Sequence, residues 1–349
     1  CADHPKTLVY AVKAAGKARN VFAHDEAITY YHRALDAARQ SGGEVIHQRN
    51  YIIERIGDCY ESAGQHIEAS KAFSDSLRAW RICRRHGSFQ PSLPELTDGN
   101  PSKARESILC HKIAVAYERN SGYDLALKWL DSALKALPVK QPLQAARIYA
   151  SRSLALFRKG RYEDAIHWGS LGIALSRRSG DHGQLAYAHS ILGGSYLAKG
   201  NIKQALRHRL SAVQLFDEIG DIAGQGISHN NVGLCYQSLG DLDKALYHYQ
   251  IALKARLRLG NPFQGAIVNN NIGEVLFIQG RTQEATDQFN KVVEIYEQKG
   301  DPLALTGLAL VNLSRVSLRL KDYHKSSEYL QRGIGLLRKA RNKGLLAEA

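Results

Sequence analysis

Glycine recurs at a fixed interval through the second half of this chain. Gly160, Gly180, Gly200, Gly220, Gly240, Gly260, Gly280 and Gly300 stand 20 residues apart without a slip. They form two interleaved series of period 40, and a fixed period of that size is the sequence signature of a stacked repeat. The first series (Gly160, Gly200, Gly240, Gly280) leads into short polar connectors such as Asn201-Ile202-Lys203 and Asp241-Leu242-Asp243. The second (Gly180, Gly220, Gly260, Gly300) is followed by Asp181, Asp221, Asn261 and Asp301. Glycine tolerates the left-handed conformation that closes a helix, and Asp or Asn just after it caps the next one. Pro262 and Pro302 stand where a missing N–H costs little. Each unit is therefore predicted to be two helices of roughly 15–18 residues joined by tight turns.

Small residues mark where the helices must cross. Gly193, Gly233 and Gly273 lie 40 apart in the first helix of each unit, and Ala165, Ala205, Ala245 and Ala285 lie 40 apart in the second. Helix axes about 8–10 Å apart require small side chains at the crossing. Tyr196 and Tyr236, three residues after their glycines, are expected to fill the space beside it.

These residues carry a resemblance. Gly193-x-x-Tyr196…Ala205…Ala212 and Gly233-x-x-Tyr236…Ala245…Tyr249-x-x-Ala252 resemble the tetratricopeptide repeat, with its G-x-x-Y first helix and A-x-x-x-F/Y-x-x-A second helix. The unit here is longer than that family's usual length of about 34 residues, as in the extended repeats of Pins-type polarity scaffolds and many bacterial regulators. The register extends in both directions. Gly57, Tyr60, Ala69 and Phe73 mark one unit, and Tyr117, Ala126, Leu130 and Ala133 another. Ala27, Tyr31 and Ala34 mark an early second helix, and Asn312-Leu313-Ser314 and Leu330 a late unit in which Ser314 replaces Gly and Lys321 the turn Gly. The resemblance implies an all-α fold, a right-handed α-solenoid of about eight helix pairs over 1–349. Two repeats are expected in 1–85 and six in 105–349, the most regular in 184–300. Between them, 86–104 reads as an irregular linker, because Pro91, Pro94 and Pro101 forbid a regular helix. The helix before it ends in Arg78, Arg81, Arg84 and Arg85, read as last-turn cations or as a docking site.

Composition excludes other classes. With 44% hydrophobic residues the chain can bury a core, so wholesale disorder is out. No apolar run reaches the roughly 18 residues of a membrane-spanning helix. Five widely spaced cysteines, an odd number, argue against a disulfide framework. With no visible signal peptide, we expect a cytoplasmic protein. The chain has no Met, and Gly344-Leu345-Leu346-Ala347-Glu348-Ala349 reads like the opening of another helix, so a fragment of a longer protein is expected.

No catalytic or cofactor signature is readable. There is no G-x-x-x-x-G-K-[ST] phosphate loop and no H-E-x-x-H, and no two cysteines stand in C-x-x-C spacing. Gly224-Gln225-Gly226 starts a dinucleotide-like pattern that Ile227-Ser228-His229 breaks. His208 and His248 share one repeat position and are read as surface histidines that adjacent units could bring together. We therefore expect no enzyme, no metal and no cofactor.

The resemblance also implies a binding face. In tetratricopeptide arrays the first helix of each unit lines the concave surface. Carried over to this sequence, its groove positions give an acidic start of Glu54, Asp58 and Glu61. A basic and aromatic middle follows, with Arg119, Arg147, Phe157 and Arg158. Tyr187, Asn230, Gln237, Asn270, Glu274 and Phe277 come next, and Arg315 and Arg319 end the stripe. Arginine presents a planar fork suited to carboxylates, and asparagine can hold a peptide backbone from both ends of its amide. Such a stripe suits an acidic protein segment or peptide. The neighbouring Asn231, Asn271 and Asn312 are expected to bond between helices. The family's carboxylate-clamp set of Lys and Asn is not found, so a chaperone tail is not the expected ligand.

Residues 101–200 carry 15 basic side chains against 7 acidic ones, an excess that keeps nucleic acid as an alternative partner. The opening segment, Ala14-Ala15-Gly16-Lys17-Ala18 followed by Phe22-Ala23-His24-Asp25-Glu26-Ala27, resembles the repeat arms of bacterial signal-transducing ATPases, adenylate cyclases and transcription regulators. That likeness implies a sensor arm that restrains its own ATPase or effector domain, with a small-molecule inducer as a further alternative ligand. The leading expectation is a non-catalytic interaction scaffold within a larger signalling protein.

Overall fold

The computed structural model describes residues 4–21, 23–40, 46–85, 104–139, 141–260, 262–299 and 303–340. Every described element is an α-helix, and the sixteen helices follow one another in pairs. The first eight are α1 (His4–Asn20), α2 (His24–Gln40), α3 (Ile46–Ser62), α4 (His66–Arg85), α5 (Arg105–Arg119), α6 (Tyr123–Lys135), α7 (Pro142–Arg158) and α8 (Tyr162–Ser179). The second eight are α9 (His182–Ala198), α10 (Ile202–Glu218), α11 (Ile222–Ser238), α12 (Leu242–Arg258), α13 (Pro262–Ile278), α14 (Thr282–Lys299), α15 (Leu303–Arg319) and α16 (Tyr323–Lys339). The chain divides into two compact units, Cys1–Gln184 and Leu185–Ala349. Odd-numbered helices are the first of each pair and even-numbered helices the second.

The turn chemistry works as the sequence implies. Asp181, Asn201, Asp221, Asp241 and Asp322 each accept a hydrogen bond from the backbone N–H three residues on, at 2.7–3.2 Å, so each satisfies a donor left over at the start of its helix. Gly220 and Gly240 close the preceding helices with φ of 69° and 78°, a conformation that favours glycine. Two turns manage it without glycine: Ser121 at φ 60° and Lys321 at φ 63°. Gly300, Asn261, Asp301 and Pro302 lie outside the described residues.

The crossing points are as small as expected, but their covers differ. Ala165, Ala205, Ala245 and Ala285 are fully buried. A Cβ at Gly233 would lie 2.5 Å from the Tyr249 ring, one at Gly273 2.6 Å from Phe289, and one at Gly57 2.6 Å from Phe73. Each glycine is therefore covered by the residue sixteen positions on, in the second helix. Tyr196 and Tyr236 do not take this role; they stack on His208 and His248 instead, with ring centroids 5.4 and 5.5 Å apart. At Gly193 the aromatic cover is replaced by the buried Arg209, whose Cγ lies 2.6 Å from where a Cβ would stand. In the last repeat Ser314 takes the glycine's place and hydrogen-bonds Ser326 at 3.0 Å across the pair.

Unit 1 continues its stack from α4 to α5. Phe73, Leu77 and Trp80 of α4 share one core with Leu109, Cys110 and Ile113 of α5. The arginines that end α4 are engaged there too: Arg81 and Arg84 both pair with Glu106, at 2.9 and 3.1 Å. The proline-rich stretch 86–103 lies outside the described residues. Cys59, Cys83, Cys110 and Cys235 are buried free thiols, and burial pushes the Cys110 thiol up to about 11. Among the described residues no helix is long and apolar enough to cross a membrane.

Candidate functional site

In unit 1 the polar face of the first helices is a ladder of opposite charges. Glu54, Asp58 and Glu61 fall at helical spacing on α3, so they share a face. Arg105, Lys112 and Arg119 repeat every seven residues on α5 and meet them. Glu54 accepts from Arg105 and, at 2.7 Å, from Lys112 Nζ. Lys112 also donates to Asp58 at 2.6 Å, and Arg119 stands 3.6 Å from Glu61. The ladder goes on to α7, where Arg158 pairs with Glu118 at 2.9 Å. Arg147 lies 3.9 Å from Asp181, beyond hydrogen-bond reach.

Burial sharpens these pairs. The Glu54 side chain is only 3% exposed. Burial alone would raise its pKa, but Lys112 and Arg105 outweigh that and hold it below the ordinary carboxylate range. Burial likewise works against the Lys112 ammonium, and Glu54 and Asp58 more than restore it. Glu61 and Glu118 are pushed up by burial, against the pull of Arg119 and Arg158 respectively. His111 donates to or accepts from Ser151 Oγ at 2.8 Å. Burial, helped by Arg147 and Lys112, brings His111 down to about 4, so it is neutral at pH 7. A cavity of about 480 Å³ opens beside this ladder, between α3, α5 and α7, lined in part by Arg105, His111, Lys112, Gln144 and Arg147.

In unit 2 the same face is built from amides. Asn271 Nδ2 donates to Asn230 Oδ1 at 2.9 Å, and Asn312 Nδ2 to Asn270 Oδ1 at 3.1 Å, each joining successive first helices. Glu274 gathers Asn270 at 2.9 Å, Gln237 at 3.4 Å and Asn312 at 3.4 Å. Tyr249 Oη donates to Gln237 at 2.7 Å. Arg319 lies over the Phe277 ring at 3.7 Å and donates to the Phe277 carbonyl; Arg315 lies 5.2 Å from the same ring.

The predicted groove residues thus separate into two kinds. Arg119, Arg147, Arg158, Arg315 and Arg319 are exposed, and Tyr187 is 40% exposed on α9. Asn230, Gln237, Glu274, Phe157 and Phe277 are half-buried. Asn270 is inside, 3% exposed and bonded to Glu274 and Asn312, so it joins helices rather than facing outward. Sequence reasoning missed Arg105, Lys112, His111 and Gln144. The seven-residue spacing of Arg105, Lys112 and Arg119 was the signal available for the first two.

The histidines correct an expectation. His208 and His248 find their ring partners inside their own repeats, Nδ1 to Nδ1 at 2.9 Å: His208 with His189 and His248 with His229. His189 and His229 are themselves 40 residues apart and buried. Burial, with a contribution from His229, brings His248 down to about 4. Among the described residues no group of three or more metal-ligating side chains gathers.

Comparisons with known proteins follow the same lines. The fold resembles that of a signal transduction ATPase with numerous domains carrying a tetratricopeptide repeat sensor, from Pyrococcus horikoshii, at 14% identity and TM-score 0.63. That match covers 93% of this chain and 53% of that one. Aspartyl phosphate phosphatase F from Bacillus subtilis matches at 12% identity and TM-score 0.63, over 91% of this chain and 76% of that one. The Rap conjugation gene regulator of the plasmid pLS20, in complex with the Phr* peptide, matches at 14% identity and TM-score 0.61, over 92% and 85%. No protein of curated function matches the sequence. Tetratricopeptide repeat models match residues 111–181 and, in three overlapping stretches, 184–258, 224–298 and 263–339. These matches run through most of the repeats built above, and the chain belongs to the tetratricopeptide repeat family.

Proposed function

We propose that this chain is a non-catalytic scaffold that holds a protein segment along the face of its first helices, as a regulatory region of a larger signalling protein. One observation carries the reading. Arg119, Arg147 and Arg158 project from that face with about half of each side chain exposed, and each is tethered by one carboxylate. A guanidinium has five N–H donors, so most remain available to a ligand while the tether limits the rotamers lost on binding. The peptide complex of the Rap regulator shows that a protein of this fold holds a peptide, and the repeat sensor of the signal transduction ATPase supports the regulatory placement. Charge favours a peptide over nucleic acid. Arg105, Lys112 and Arg119, three of the basic residues in 101–200, are already paired with Glu54, Asp58 and Glu61 from outside that stretch.

The test is selection from a displayed library of acidic and neutral peptides, followed by titration of the selected peptides into the full chain. The triple variant Arg119→Gln, Arg147→Gln, Arg158→Gln is expected to lose about tenfold or more in affinity while its helical circular dichroism is unchanged. Unaltered affinity moves binding off this face and overturns the reading.

A further inference from the structure

We propose that the cavity between α3, α5 and α7 is a subsite for a carboxylate carried on an apolar body, held by Gln144 and Arg147. The inference deepens the reading of the first-helix face as a binding face and rests on it.

The cavity's polar lining contains a buried donor that no protein group answers among the described residues. Gln144 is 7% exposed, and its Nε2 donates to no group among the described residues. A buried amide N–H₂ without a protein partner is costly, so its acceptor comes from outside the protein. Arg147, one turn further along α7, reaches Asp181 at 3.9 Å and no other carboxylate among the described residues. Gln144 and Arg147 are three residues apart on one helix, so their donors rise side by side on the same wall. The acceptor that lines the cavity, Glu54, already takes Arg105 on Oε2 and Lys112 on Oε1. His111 is neutral and engaged with Ser151. Arg105 and Lys112 are closely matched by Glu54 and Asp58, so of the three lining cations Arg147 is the most loosely held. The loosely held Arg147 guanidinium beside the Gln144 amide matches an anionic oxygen best.

The rest of the cavity narrows the class. Ile108 and Leu143 give it an apolar wall, and its volume of about 480 Å³ is that of a small-ligand pocket, for which roughly 300–1,000 Å³ is usual. A bare inorganic anion would leave the apolar wall uncovered. A dianion would also face the fixed Glu54 charge in a partly desolvated site, which disfavours it. A monoanionic carboxylate with an aliphatic body satisfies both halves of the cavity. Two sources offer it: a free aliphatic acid, or the carboxy terminus of a peptide whose last residue is apolar.

Calorimetric titration of the full chain tests this with five probes: N-acetylleucine, its amide, a short peptide ending in a free leucine carboxylate, the same peptide amidated, and inorganic phosphate. Each acid is expected to bind at least about tenfold tighter than its amide, the amide having lost the charge that Gln144 and Arg147 hold. Gln144→Glu, equal in length and opposite in preference, is expected to abolish acid binding with the helical signal intact. Gln144→Leu, which cannot unfold the helix through charge, is expected to weaken it by about tenfold. A peptide far tighter than N-acetylleucine identifies a peptide terminus; equal affinities identify a free acid. Acids and amides binding alike, no acid binding at millimolar concentration, phosphate binding best, or full affinity in Gln144→Glu would each overturn the subsite. Gln144 takes no part in the arginine test above. Library peptides that still depend on Arg119, Arg147 and Arg158 but ignore Gln144 would therefore sink the subsite and leave the binding face standing.

Discussion

Glu54 and Asn270 occupy one place in the repeat, three residues before the crossing glycines Gly57 and Gly273. Both side chains are almost fully buried, and both join one first helix to the next. Unit 1 fills the place with a carboxylate and answers it with Arg105 and Lys112; unit 2 fills it with an amide and answers it with another amide. The geometry of the repeat fixes that a polar link belongs there, and leaves its charge open. The consequences differ because a buried ion left alone costs far more than a buried amide left alone. Unit 1 therefore keeps a face of exposed arginines anchored by acids, whereas unit 2 turns most of its polar groups inward on each other.

The sharpest test removes one partner from each link. Glu54→Ala takes the shared carboxylate away from Arg105 and Lys112 and is expected to cost about 3–5 kcal/mol. Asn270→Ala leaves a neutral amide short of a partner and is expected to cost about 1–3 kcal/mol. Hydrogen exchange resolved along the chain would read each loss in its own unit, and equal losses would erase the distinction.

A second substitution changes shape without charge. Gly233→Leu places a side chain into the Tyr249 ring, 2.5 Å from the new Cβ. Overpacking of this kind is expected to cost about 1–3 kcal/mol, and the loss should not vary with salt. An unchanged thermal midpoint would mean that α11 and α12 do not cross at Gly233.

The smallest expected effect is acid. Burial keeps His229 and His248 neutral in unit 2, with His248 at about 4, while unfolded histidine takes its proton near 6.5. Stability from these rings is complete above pH 6.5 and is lost progressively as pH falls from 6.5 to 4. Asp217 pulls His229 in the opposite direction and softens the effect. His111, also at about 4, weakens unit 1 across the same window. The Glu54 link, whose carboxyl lies below its ordinary value, contributes fully above that value and gives way only as pH falls beneath it. Unit 2, with its coupled histidines, should thus begin to loosen at higher pH than the charge ladder does. Imidazole proton resonances of His248 and His111 titrating near 6.5 would contradict this order.

Much of the fold is legible in the glycines. Gly220 and Gly240 need a positive φ, Asp221 and Asp241 need a backbone donor three residues on, and Ala205 and Ala245 need a close neighbour. Each of these is a local or near-local demand, so spacing alone reveals it. The cover over Gly233 was misread because two aromatics compete for it: Tyr236 lies one turn on in the same helix, whereas Tyr249 comes from the facing helix. Only the crossing angle decides between them. The polar face of the first helices was legible as a set of positions. Which of them look outward was not, since Asn230 and Asn270 share a repeat position but only Asn270 is fully enclosed.

By itself, then, the sequence determined the period, the helix ends, the crossings and the class of fold, because those follow from backbone conformation and from side-chain size at fixed spacing. The tertiary structure decided the partners. It set Arg105 and Lys112 against Glu54, His189 against His208, Arg209 over Gly193, and left Gln144 without a mate beside Arg147. Pairing across helices depends on rotation and stagger of a few ångströms between segments 12 to 58 residues apart, and a repeat pattern carries no information at that scale.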